Sequence, residues 1–123
     1  GIFKLQGADL ANAKLTAFIP IVLFKNNNVL VSFTDAVLHQ NQIYFIAAAE
    51  DTKSTYEDGE ILGSYIGCIN AETLELKFTK KISSTHKFEG ITFFKQNEKH
   101  IEFLLCEDRD TDVLETVIYK IVV

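Results

Sequence analysis

The chain has 123 residues, is 47% hydrophobic and holds ten Phe and four Tyr, enough apolar surface for one folded domain, which excludes a disordered chain. Its formal charge of −5 disfavours nucleic acid as a partner, since no basic stripe with interleaved aromatics offsets repulsion from phosphate. The longest apolar run, residues 15–24, contains Pro20 and is too short for a membrane span.

In chain order, Ile2, Phe3, Lys4 and Leu5 mirror Ile118, Tyr119, Lys120 and Ile121 near the other end, and both segments read as strands. Residues 7–13 are small and polar, a loop or a single helical turn. Residues 15–24 read as one strand, with Pro20 confining it to an edge or a bulge because proline donates no backbone hydrogen bond. Asn26, Asn27 and Asn28 mark a turn, since Asn tolerates positive φ. Residues 29–33 lead into strands at 36–38, 43–49, 61–69 and 74–82, with a turn at 39–42, a long loop at 50–60 and a turn at 70–73. In the last of these strands, Leu74, Leu76 and Phe78 alternate onto one side. A second set begins at Glu89 and continues through 101–104 and 114–121. The chain contains no Met, so Gly1 is expected to open a processed or excised piece.

The two sets repeat each other. Asp35 and Glu89 are 54 residues apart, Ile43 and Ile101 58, and Leu62 and Leu114 52. A period near fifty built from short apolar strands is the pattern of a β-propeller blade. The expected fold is therefore all-β, with about two and a half four-stranded antiparallel blades. Residues 1–33 end one blade, 34–87 form a complete one, and 88–123 supply three strands of a further one. Too few blades are present to close a ring, so missing blades or self-association are expected to cover the open edges. The alternative is a stand-alone antiparallel β-sandwich or barrel.

Blade topology would gather the inner-strand starts and the second loops on one face. Loop 50–60 and segment 107–115 each carry a net −4, which leaves +3 for the remainder. Massed carboxylates raise one another's pKa unless a cation intervenes, and a hard divalent ion such as calcium is the natural counter-charge. The candidate ligand-binding residues are Asp35, Glu50, Lys87, Glu89, Glu107 and Asp108. Glu89, Asp108 and Asp110 are the candidate metal ligands, for a divalent cation or a small polar ligand. The bland alternative is a pair of solvated acidic loops. Asp108, Asp110 and Asp112 have the spacing that opens a calcium loop, but Val113 stands where an EF-hand needs glycine. Lys87 is expected to pair with Glu89 or to hold an anion, and Gly90 to allow close backbone packing.

Catalytic patterns are sparse. His39 and His100 fall in turns and are expected to be exposed, which leaves His86 alone near the acidic face. The run from Gly63 to Gly67 does not centre its serine as a nucleophile elbow would. Tyr56 and Tyr65 suit either packing or ligand contact. Cys68 and Cys106 fall in strands expected to be buried, and a disulfide between them is open.

On Thr34 to Val37, Ala49 to Thr52, Lys87 to Gly90 and Leu105 to Asp108, the chain resembles the C-terminal part of an uncharacterised bacterial β-propeller family. More distantly, the Lys-x-Glu-Gly segment is similar to one in phytase-like and esterase-like propellers. That resemblance implies calcium bound by channel-mouth carboxylates, with phosphate or lactone ester hydrolysis as the alternative to a binding or scaffold module. Under the hydrolase reading Glu89 would be a calcium ligand. A third reading is a protein-interaction surface without a small ligand.

Overall fold

The computed structural model describes residues 1–7, 11–51, 60–107 and 116–123. Among these residues every regular element is a strand and every pairing is antiparallel. The protein is all-β, and the described sheets are open rather than closed into a barrel. No helix among the described residues is long and apolar enough to cross a membrane.

Strands β1 (Ile2–Gln6) and β2 (Lys14–Ile19) form a hairpin. The apolar run 15–24 does not continue as one strand: β2 stops at Ile19, immediately before Pro20. Proline offers no amide for the ladder, and the chain beyond it turns inward instead. Ile21, Leu23 and Phe24 then pack against a buried cluster as irregular chain.

The short strands β3 (Lys25–Asn26) and β4 (Val29–Leu30) pair around Asn27 and Asn28, whose φ values are 50° and 65°. Positive φ at both central residues defines a type I′ turn, which matches the right-handed twist of a hairpin. The same device, Gln40 and Asn41 at φ 46° and 61°, joins β5 (Ser32–His39) to β6 (Gln42–Asp51).

With β7 (Glu60–Asn70) and β8 (Leu76–Ser83), these two strands form a four-stranded meander in the order β5-β6-β7-β8. Strand β8 begins two residues later than its alternation suggested. Leu74 instead sits in the turn at φ 61°, while the Asn70 side chain accepts bonds from the amides of Glu72 and Thr73. Strands β9 (Phe88–Gln96), β10 (Ile101–Glu107) and β11 (Ile118–Val122) form a three-stranded meander.

Residues 44–49 of β6 are buried without interruption, because both faces of the larger sheet are covered. On one face Tyr44, Ile46, Ile66 and Cys68 meet Phe88, Ile91, Phe103 and Leu105 of the smaller sheet. On the other, Phe45, Ala47 and Ile69 pack with Val31 and the chain that follows Pro20. Gly67 lies opposite Phe45 in the register, and a Cβ there would stand 2.2 Å from the Phe45 ring. The ring occupies the space that glycine leaves.

Candidate functional site

The two meanders bring their first strands together, and this contact sets the geometry of one end of the molecule. Both first strands carry an extra residue near the start. Thr34 is skipped between the pairs of Phe33 and Asp35, and Glu89 between those of Phe88 and Gly90. Such bulges re-aim side chains and free backbone groups from the ladder. Here side chains at the β5 bulge reach backbone groups of β9 on the other sheet. Asp35 Oδ2 accepts the Ile91 amide at 2.9 Å, and Thr34 Oγ1 donates to the Phe88 carbonyl at 2.7 Å.

Lys87 precedes β9 and reaches across. Its Nζ lies 2.9 Å from Glu50 Oε2 at the end of β6 and 3.2 Å from Glu89 Oε1. The hydrogen bond to Glu50 holds the Lys87 ammonium above the ordinary lysine value. Glu89 adds to this, and partial desolvation pulls the other way. Glu107 ends β10, and its Oε1 accepts the Tyr119 hydroxyl at 2.9 Å. In the register Glu107 stands opposite Phe88, so the flanks of both acidic segments lie at the end where Thr34, Asp35 and Lys87 meet.

Asp35, Glu50, Lys87, Glu89 and Glu107 are thus gathered at one end, though each carboxylate there already has a partner. Asp108 and Asp110 lie outside the described residues, as do Asp112, Val113 and Tyr56. Among the described residues no group of three or more His, Cys, Asp or Glu is placed to hold a metal ion. Asp35 also borders a shallow pocket of about 300 Å³ whose other walls include Gly90, Thr92, Leu104, Cys106 and Ile118. Gly90 leaves room there for the Cys106 side chain: a Cβ would come 2.5 Å from Cys106 Sγ, which would have to rotate away.

His86 and His39 are held by packing. His86 Nδ1 lies 3.1 Å from Ser83 Oγ and 3.0 Å from Thr85 Oγ1, and its ring stacks on Phe88. His39 is half-buried rather than exposed: its ring stacks on Phe93 at 4.1 Å and Nε2 meets Gln96 at 2.8 Å. His100 is exposed. Tyr65 is a core residue whose hydroxyl accepts from Asn26 at 2.7 Å, and Ser64 is buried, donating to the His86 carbonyl. Both thiols are free. Cys68 points at Gln42, and burial pushes its pKa up, which keeps it protonated and unreactive.

Two features escaped the sequence reading. Thr34 is a link between sheets, visible only once β5 and β9 are known to touch. Glu102 sits in the centre of β10 with Lys120 Nζ 3.1 Å from Oε1 and Lys95 Nζ 3.4 Å from Oε2. A carboxylate inside the apolar run Ile101 to Leu105, with lysines on the flanking strands, was the available signal.

Comparison with curated proteins and with solved structures gave no match. The family models do give one: the chain belongs to the family of unknown function DUF6929, whose model matches residues 2–123.

Proposed function

We propose that this chain is a β-propeller segment acting as a binding scaffold, and that its acidic end takes a divalent cation or a small polar ligand. The 34–87 and 88–123 segments would be successive blades, with β5 and β9 as inner strands. The observation that carries this reading is the Lys87 bridge, in which one ammonium is shared by Glu50 and Glu89 from two different sheets. Carboxylates that approach closely need a cation between them. Lys87 meets that need for two, while the two acidic segments carry eight net negative charges on chain that departs from the same end. A calcium ion coordinated by Asp108 and Asp110, with Glu89 released from Lys87, would supply the remainder.

Isothermal titration of the 123-residue chain with calcium tests the reading. Saturable heat that is lost in both Glu89→Gln and Asp108→Asn supports it. No heat at millimolar calcium, or heat unchanged in both variants, overturns it.

A further inference from the structure

The link from β8 to β9 carries the chain from the larger sheet to the smaller one through residues 84–87, and one serine side chain organises it. Ser83 Oγ accepts the amides of Thr85 at 3.1 Å and of His86 at 2.9 Å. A hydroxyl has two lone pairs and one proton, so both lone pairs are used and only the proton is left to give. The remaining neighbour of Ser83 Oγ is His86 Nδ1 at 3.1 Å. That nitrogen therefore accepts, and the neutral ring carries its own proton on Nε2. Thr85 Oγ1 lies 3.0 Å from the same nitrogen and has no other partner among the described residues, so its lone pairs are open.

We infer that His86 is a pH-operated latch on this link: Ser83 fastens the neutral ring, and Thr85 takes over the ring that has gained a second proton. In the protonated ring Nδ1–H meets a Ser83 hydroxyl that can only donate, while Thr85 Oγ1 can accept. The ring is placed to pass this change on. It stacks on Phe88 at 5.9 Å and meets Tyr119 edge-on at 5.5 Å, and the His86 carbonyl accepts the buried Ser64 hydroxyl. Lys87 follows directly and bridges Glu50 and Glu89, so a turn of the ring bears on the bridge between the sheets. The other charged groups on the elements around the ring are Glu107, bonded to Tyr119, and Lys80, opposite Ile66. The latch does not depend on a cation at that end.

The test is a pH titration of the histidine ring nitrogens by NMR in the whole chain, with the exposed His100 as internal reference. At about pH 8 the His86 ring should carry its proton on Nε2 and none on Nδ1. Ser83→Ala removes the bond to the neutral ring and should raise the pH at which His86 titrates. Thr85→Val removes the acceptor of the protonated ring and should lower it. Each change should be about half a pH unit or more, the scale of one hydrogen bond, with His100 unmoved. The Lys87 amide resonance should follow the His86 titration in the parent chain and cease to do so in His86→Gln. Thr85 is exposed, so Thr85→Val is expected to fold and carries the test by itself if Ser83→Ala does not. A neutral ring protonated on Nδ1, a Thr85→Val titration that is unmoved or raised, or a Lys87 amide indifferent to the His86 titration overturns the inference.

Discussion

Gly67 and Glu102 show how single positions are decided by what stands across the strand. Gly67 is opposite Phe45, whose ring is fully buried and lies where a methyl group would go. Gly67→Ala should therefore lower stability by about 1–3 kcal/mol, the usual range for overpacking, read as a lower urea midpoint. Adding Phe45→Leu should recover part of that loss. Glu102 is held below the ordinary carboxyl pKa first by its hydrogen bond to Lys120, then by the charges of Lys120 and Lys95, with desolvation opposing. A depressed folded-state pKa stabilises above the unfolded value of 4.5 and loses that contribution as pH falls through the folded value. Glu102→Gln should flatten the acid limb of the stability profile and leave the region above pH ~6 parallel to that of the parent chain.

At the scale of elements, the hairpins are the part most plainly written in the sequence. Asn27 and Asn28 announce a tight turn, and the apolar runs locate β6 and β7 to within a residue or two, while β10 runs three residues past the expected 101–104. Local chemistry suffices for these, because turn type and strand period depend on neighbours in sequence. It misjudged residues 15–24, where Pro20 outweighed apolar composition, and it gave β8 too early a start. The contacts of the candidate site were not legible in the same way. Thr34 to Phe88, Asp35 to Ile91 and Lys87 to Glu50 all join residues far apart in the chain. The repeat implied that Asp35 and Glu89 share an end, yet nothing in it said that Asp35 would hold an amide. The β5–β6 turn offers a direct check of the local account. Gln40 adopts φ 46° at an exposed position, a conformation that costs an ordinary residue about 1 kcal/mol and glycine little. Gln40→Gly should raise the melting temperature, by a few degrees at most.

For the molecule as a whole, the acidic end is set by how the two meanders stand against each other. Their shared core, Tyr44, Ile46 and Ile66 against Ile91, Phe103 and Leu105, supplies the apolar driving force. The Thr34 and Asp35 bonds then fix where one sheet sits along the other. The Ile91 amide reports on this most directly. In the register Ile91 lies opposite Leu105, but its hydrogen bond goes to Asp35 on the other sheet. Hydrogen exchange followed by NMR should therefore find Ile91 protected in the parent chain. In Asp35→Ala it should exchange at least about tenfold faster, roughly the loss of one charge-assisted bond, while β9 amides bonded to β10 keep their protection. A freely exchanging Ile91 in the parent chain, or one equally protected without Asp35, would contradict the side-by-side placement of β5 and β9.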